Sequence, residues 1–179
     1  MGRRERGMAI GSRVYHTIRE ALLVPKEIMV RHAADNPYLH RDFHAAMNGG
    51  IHYLRETFGL PAVRDYLRQF AHEYYSPLRA RLLAGDLGAL AQHTRDIYAA
   101  EEAEAEVTLS ENELTIRVPA CPAVTHIRKL GQEPDEAFVE TTRTVNEAIC
   151  EGTPFVAELL AYDPETGASQ QRFSRRAGK

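Results

Sequence analysis

Cys121 is the side chain of this sequence that is best suited to act as a nucleophile. It directly precedes Pro122, and because proline is favoured at the first position of a helix, we expect Cys121 at a helix N-terminus. The partial positive charge at that end stabilises an anion, so the pKa of the thiol is expected to lie below its usual value of about 8.5. A thiolate is a nucleophile or a metal ligand. The alternative interpretation is a small buried residue that closes a strand.

A nucleophilic cysteine needs a base, and His126 is the nearest histidine in the sequence. It follows Cys121 by five residues, whereas residues on one helix face are three or four apart. Thr125 has the better spacing as a helical neighbour of the cysteine. We therefore expect the base to come from another element, and we place His126 and Thr125 among the substrate-binding residues.

His40 and His44 lie four residues apart on a predicted helix, and Asn48 follows at the same step. Two histidines at this spacing can chelate a metal ion. No HExxH pattern and no evident third ligand accompany them, so we predict neither a metal nor a cofactor. We expect instead that His40 or His44 meets Cys121 across the interior and carries protons, with Asn48 in the substrate site.

Arg143 and Glu147 are four residues apart on a later predicted helix, and together with Glu140 they are expected on the side that faces away from its apolar stripe. One interpretation is an ion pair on the surface of that helix. The other is a substrate site, in which Arg143 binds a carboxylate through two parallel hydrogen bonds and Glu147 lies beside it. Cys150, on the same helix, is predicted to be structural.

The apolar residues of the first half recur at helical spacing and are interrupted by glycine and proline. This pattern predicts helices at 13–23, 25–33, from Asn36 to Gly59, from Pro61 to Ser76, from there to about Ala84, and at 87–98. The acidic run at 101–106 is expected to be a solvated edge.

The spacing of apolar residues then changes to two, which is typical of strands. It predicts a β-hairpin at 107–118, a short helix at 122–130, a helix from Asp135 to Gly152, and a second hairpin with strands at 155–162 and 168–174. A lone hairpin is only marginally stable, so we expect the two hairpins to share one antiparallel sheet covered by helices. The predicted fold class is α+β.

Composition favours an ordinary globular protein, with 44% hydrophobic and 26% charged residues. The 179 residues fit one domain, which we place at 13–175 between a flexible basic tail at 1–12 and a C-terminal tail at 176–179. The net charge of −3 argues against a nucleic-acid binder, and no apolar run has the length of a signal peptide or a membrane span. Two cysteines do not make a disulfide scaffold, so reduced thiols and a cytoplasmic location are expected.

Three stretches of the sequence resemble the 2-amino-thiazoline-carboxylate hydrolase family. They are CPAV at 121–124, TTRTVNEA at 141–148 and QRF at 171–173, at the end of the closing hairpin. The resemblance covers roughly residues 39–175 and is best in the second half. The general layout also resembles the 4-vinyl reductase domain and its relatives among vesicle-tethering subunits.

The first resemblance implies hydrolytic opening of a small cyclic amidine-like ring that carries a carboxylate. Cys121 would then be the nucleophile or a thiol that contacts the ligand, His40 or His44 the proton carrier, and Arg143 the carboxylate anchor. The second resemblance implies a non-catalytic domain that holds a small hydrophobic or pigment-like ligand between sheet and helices, or a sensor that dimerises. A homodimer with a purely structural role is a third, weaker alternative, because amphipathic helices often pair.

Overall fold

The computed structural model describes the backbone of residues 39–176 and the side chains from residue 43 onward. The helices expected at 13–23 and 25–33, the helix start at Asn36 and the side chain of His40 therefore lie outside the described residues. The described elements are α1 (Leu39–Phe58), α2 (Leu60–Tyr74), α3 (Ser76–Leu83), α4 (Leu87–Ala100), β1 (Glu106–Leu109), β2 (Glu113–Val118), α5 (Pro122–Lys129), a 3₁₀ turn (Glu136–Val139), α6 (Glu140–Cys150), β3 (Phe155–Tyr162) and β4 (Ser169–Arg175). The described residues belong to one compact unit.

The helix boundaries follow from the turn chemistry of the sequence. Gly59 ends α1 with a φ of +82°, a conformation that favours glycine, and Pro61 then lies in the first turn of α2. Helix α2 ends before Ser76, and Ser76 and Pro77 form the first turn of α3, as their types predict. The carboxylate of Asp86 accepts a hydrogen bond from the backbone N–H of Ala89 and caps α4.

The two hairpins share one sheet, as predicted, and the α+β fold class is confirmed. The strand order is β1-β2-β4-β3 with every neighbour antiparallel, so the hairpins meet along β2 and β4. Ile116 pairs with Gln171 and Leu114 with Phe173 along that seam. Side chains at these positions point to the same face, and all four residues are buried.

Strand β3 contains a bulge. Leu159 pairs with Gln171 and Ala161 pairs with Gln170, so Leu160 is an extra residue without a partner in β4. The side chain of Leu160 is 46% exposed. The bulge lies on the strand at the outer edge of the described sheet.

The helices cover the face of the sheet that carries the apolar residues. Helix α4 lies over β1 and β2, whereas α6 lies over β3 and packs closely against α2. The two covering helices α4 and α6 hardly touch each other. A gap is therefore left between them, above the central strands β2 and β4.

Two details differ from the expected core. The helical spacing of Val63, Leu67 and Phe70 continues to Tyr74 and predicts it on the inner stripe of α2. Tyr74 is however 55% exposed, and Ala71 is buried on that stripe instead. Glu140 was expected on the outer side of its helix, but it is buried at the start of α6. Among the described residues, no helix is both long and apolar enough to cross a membrane.

Candidate binding pocket and the surroundings of Cys121

A pocket occupies the gap between α4 and α6, and its cavity measures about 160 Å³. The inner face of α4 supplies one wall, because residues 90, 93, 94, 97 and 98 follow the helical repeat. The inner face of α6 supplies the opposite wall with residues 141, 142, 145, 146 and 149. Ile116, Gln171 and Phe173 of the central strands form the floor, and Tyr75 lies beside α4.

The floor of the pocket carries a chain of neutral polar groups. Nδ2 of Asn146 donates to Oε1 of Gln171 at 2.8 Å, and Nε2 of Gln171 donates to Oγ of Ser169 at 2.9 Å. Gln171 and Ser169 are both buried on the inner face of β4. Polar residues at such positions are uncommon unless they are hydrogen-bonded, and here the bonds lead from α6 across to the sheet.

His93 lines the wall of the pocket, and its Nε2 atom is buried without a hydrogen-bond partner among the described residues. Its ring meets Tyr75 edge-to-face, with centroids 5.5 Å apart and planes at 89°. Burial lowers the pKa of His93, and Asp96 opposes that shift. The imidazole is therefore neutral at neutral pH.

Two tyrosine hydroxyls add to the neutral polar wall. Burial raises the pKa of Tyr75 to about 12, with a smaller contribution from Tyr74. Burial also raises the pKa of Tyr98, and Cys121 and Glu101 act in the same direction. Both phenols stay protonated at neutral pH. Tyr98 lines the pocket and also lies near Cys121, so it stands between the pocket and the cysteine.

Cys121 is the N-cap residue of α5 and Pro122 lies in its first turn, as the sequence predicts. The expected fall in its pKa is wrong. Burial raises the pKa of the thiol, and the backbone N–H groups of Val124 and Ala123 only partly offset it. The nearby carboxylate of Glu101 raises the pKa further. Desolvation thus outweighs the helix N-terminus, and the thiol is the form that prevails at neutral pH.

The turn between β3 and β4 packs directly against Cys121. The backbone N–H of Cys121 donates to the carbonyl of Thr166 at 2.9 Å. A Cβ atom added to Gly167 would lie 2.4 Å from Cβ of Cys121 and 2.8 Å from Val124. Gly167 also has a φ of +66°, so both its backbone conformation and its surroundings require glycine.

Glu101 pairs with His44 beside this turn. Nε2 of His44 lies 3.1 Å from Oε1 of Glu101, whose side chain is only 6% exposed. The acidic run was expected to be solvated throughout, which is wrong for Glu101. The ring of His126, on α5, lies 6.4 Å from the ring of His44, on α1. Two of the predicted site residues are therefore close together, although this particular contact was not expected. The carboxylate of Glu101 also lies close enough to Cys121 for its negative charge to raise the pKa of the thiol.

Arg143 does not pair with Glu147 as expected for a surface pair. Its Nη1 donates to Oε1 of Glu140 at 2.9 Å, and Arg64 reaches the same oxygen at 3.0 Å. The buried carboxylate of Glu140 also accepts a 2.6 Å hydrogen bond from the hydroxyl of Thr144. Burial alone would raise the pKa of Glu140, but these bonds outweigh it and the pKa is lowered. Arg143 and the exposed Glu147 are absent from the described lining of the pocket.

Two further predicted site residues have local structural contacts. Asn48 is buried, where its Nδ2 donates to the carbonyl of Glu133 and its Oδ1 accepts from the N–H of Asp135. Thr125 is exposed on α5, and its N–H donates to the carbonyl of Cys121. Neither residue is among those that line the pocket.

The residues of the pocket floor were missed by sequence reasoning, although a signal existed. Counting back from Phe173 in steps of two places Gln171 and Ser169 on the inner face of β4. A glutamine at a predicted core position points to a polar network or a binding site. Glu101 and His93 gave no comparable signal, since their burial depends on how distant elements pack.

No protein-family model matches this chain, and a search of curated proteins found no significant match.

Proposed function

We propose that this chain binds one small organic molecule reversibly in the pocket between α4 and α6. The proposal is carried by a single observation, a cavity of about 160 Å³ that is lined by the hydrogen-bonded amides of Asn146 and Gln171. Binding pockets typically combine apolar walls with a few fixed polar groups. An apolar protein cavity of about 150 Å³ holds benzene, so this pocket suits a molecule of about one ring. That size favours a smaller ligand than a pigment.

The test is to fill the pocket and to ask whether binding is lost. Thr142 lines the pocket from α6, so Thr142→Phe places a ring in the cavity. Thr57→Phe makes the same change at an exposed position of α1 and is the matched control. Native mass spectrometry of the purified chain, followed by thermal shift against a panel of one-ring compounds, identifies a ligand. We expect Thr142→Phe to abolish its binding and Thr57→Phe to keep it. Equal binding by both variants contradicts the proposal.

A second candidate function is hydrolysis at Cys121, as the resemblance to the thiazoline-carboxylate hydrolases implies. The observation in its favour is the His44–Glu101 pair next to His126 in the neighbourhood of the cysteine. In this mechanism the thiol gives its proton to a histidine, and the thiolate adds to the amidine carbon as the C=N electron pair moves to nitrogen, which takes up a proton. A ring bond to that carbon then breaks, the leaving atom is protonated by the histidine, and water displaces the cysteine from the opened product. The raised pKa of Cys121 and the engagement of Arg143 by Glu140 both weigh against it, so it ranks second.

The pH dependence of alkylation separates the two functions. Iodoacetamide labelling of Cys121, followed by peptide mass spectrometry, gives the pKa of its thiol. Cys150 is an internal reference, because burial raises its pKa to about 12. A Cys121 thiol that titrates well below about 8.5 would support the hydrolase function. In that case Cys121→Ser should abolish turnover of the cyclic substrate. Titration above that value, with ligand binding intact in Cys121→Ser, favours the binding function.

A further inference from the structure

The unpartnered nitrogen of His93 calls for an explanation. Nε2 is buried, no described residue bonds to it, and the side chain lines the pocket. The great majority of buried polar atoms in proteins have a hydrogen-bond partner. Since Nε2 has almost no accessible surface in this structure, a ligand in the pocket would supply one when the His93 side chain turns this nitrogen towards the cavity.

The neighbours of His93 leave this nitrogen to a ligand. The Thr94 hydroxyl is already bonded to the carbonyl of Leu90 at 2.9 Å. Tyr75 meets the imidazole edge-to-face and thereby orients the ring. On the floor, Asn146 and Gln171 are tied to each other and hold their amides in place for a second polar contact.

The lining of the pocket also restricts the charge of a ligand. In the part of the chain that the structure describes, the residues that line the pocket include no aspartate, glutamate, lysine or arginine. A charged molecule would lose its hydration there without gaining a counter-charge. Arg143 cannot serve as that counter-charge, because its guanidinium group pairs with Glu140 outside the lining.

We infer that the pocket selects an uncharged one-ring molecule with a hydrogen-bonding substituent, and that Nε2 of His93 is its anchor. The inference rests on the proposed binding function and adds the class of ligand and the residue that holds it. Aromatic side chains of Tyr75, Tyr98 and Phe173 surround the ring of such a molecule. Its substituent meets the imidazole at the wall or the amides at the floor.

Three probes of matched shape, benzamide, benzoate and benzamidine, test whether the pocket disfavours charged ligands. They share one ring and a planar substituent but carry no charge, a negative charge and a positive charge at neutral pH. Binding to the full chain is measured by ligand-observed NMR and calorimetry. We expect benzamide to bind at least about tenfold more tightly than either charged probe, because a charged probe must lose its hydration.

Variants of His93 test the anchor. His93→Phe keeps a ring of similar shape but removes Nε2. We expect this variant to bind benzamide about fivefold to tenfold more weakly than the wild-type chain. His93→Gln restores a polar group and should recover part of that loss. His72→Phe is the matched control, since His72 is partly exposed and outside the lining of the pocket.

Each outcome bears on a stated claim. Tighter binding of a charged probe, or unchanged benzamide binding in His93→Phe, overturns the inference and leaves the proposed binding function standing. Failure of all three probes in the wild-type chain also overturns it. If in addition no molecule copurifies and no compound of the larger panel binds, the proposed function fails as well.

Discussion

At the scale of single residues, the proposed binding role of His93 has a consequence for stability. A buried nitrogen without a partner loses its hydration and gains no bond in return, which costs about 1–3 kcal/mol. Selection for stability alone would place an apolar ring at this position. A histidine at this position is understandable if the nitrogen binds a ligand, since sites of function commonly reduce stability.

His93→Phe should therefore stabilise the protein in the absence of a ligand. We expect a gain of about 1 kcal/mol in the free energy of unfolding, because the desolvation cost of Nε2 disappears while the contact with Tyr75 is kept. Urea denaturation followed by circular dichroism measures this change. His72→Phe, outside the pocket, should give no such gain, and a loss of stability in His93→Phe would show that the nitrogen has a favourable partner.

The same residue should make stability depend on pH. Burial lowers the pKa of His93, so below about pH 6.5 the unfolded chain takes up a proton that the folded chain does not. The contribution of the neutral His93 to the free energy of unfolding is therefore present above about pH 6.5 and is lost as the pH falls below that value. Asp96, from the same helix, opposes the shift, and Tyr75 stays neutral because its pKa is about 12.

The measurement compares urea denaturation at pH 7.5 and 5.5. We expect the stability advantage of His93→Phe over the wild-type chain to be larger at pH 5.5, because only the wild type carries the histidine that titrates. Parallel losses of stability in the two proteins would mean that His93 is protonated to the same extent in both states. Asp135 and Glu140, whose pKa values are lowered, act in a separate range near pH 4 and below.

Sequence reasoning located Cys121 at a helix start but misjudged its chemistry. Its position follows from a local rule, the preference for Pro122 at the first turn. Its pKa follows from burial beneath the Gly167 turn and from the charge of Glu101, residues that lie far away in the sequence. Local rules therefore give the place of a residue, whereas the environment that tunes it requires the fold.

At the scale of elements, Asp135 joins α1 to the start of the 3₁₀ turn. Its side chain is 2% exposed and accepts hydrogen bonds from Arg55 at 2.8 Å and from His52 at 2.9 Å. It also caps the turn by accepting from the N–H of Ala137. Burial raises the pKa of Asp135, but the bonds from Arg55, Ala137 and His52 outweigh it and the net shift is downward.

Removing this carboxylate should loosen the junction. We expect Asp135→Ala to lower the free energy of unfolding by about 2 kcal/mol, the upper range for the loss of a helix cap. Asp65→Ala removes the exposed carboxylate of the Asp65–Arg68 pair and serves as the control, with an effect below about 0.5 kcal/mol. Chemical denaturation of both variants checks this. Equal effects would mean that the Asp135 bonds contribute no more than a surface pair.

Most elements could be predicted because their ends carry strong signals. Gly59 ends α1, Pro77 lies at the start of α3, and Gly131 follows α5 with a φ of +72°. The clearest miss was Glu140, which was placed outside by assuming one regular helix from Asp135. The 3₁₀ turn has a tighter repeat, so the face that α6 presents to the core is rotated relative to that assumption.

At the scale of the whole molecule, the turn between β3 and β4, which contains Gly167, packs against the start of α5. Helix α5 follows the hairpin of β1 and β2, so this contact ties the two hairpins together. A side chain at Gly167 would overlap Cys121 and Val124, and a positive φ adds strain. We expect Gly167→Ala to cost about 3 kcal/mol, from both overpacking and the backbone conformation. Thermal and urea denaturation measure the loss.

Gly152→Ala is the control for that prediction. Gly152 has a φ of +74°, but no described atom lies within 4 Å of the Cβ that it would gain. Only the backbone strain remains there, so the expected cost is about 1 kcal/mol. Similar losses of stability in Gly167→Ala and Gly152→Ala would show that the turn shifts to accommodate the added methyl group. The close contact with Cys121 would then contribute little to stability.

The pocket is a property of the assembled molecule and could not be predicted from local patterns. The hairpins were expected to share a sheet, but which strands would meet was open. The order β1-β2-β4-β3 brings Gln171 beside Ile116, and it places α4 and α6 over opposite sides of that seam. The separation of these two helices creates the cavity.

The bulge at Leu160 has a consequence for solubility. Strand β3 reads FVAELLAY and lies at the edge of the described sheet, so its outer backbone groups have no strand partner among the described residues and are suited to pair with the same strand of another copy. The extra residue twists the strand locally and interrupts a flat row of donors and acceptors. Deleting Leu160 would restore a continuous apolar edge and promote aggregation, even if the folded domain itself became no less stable.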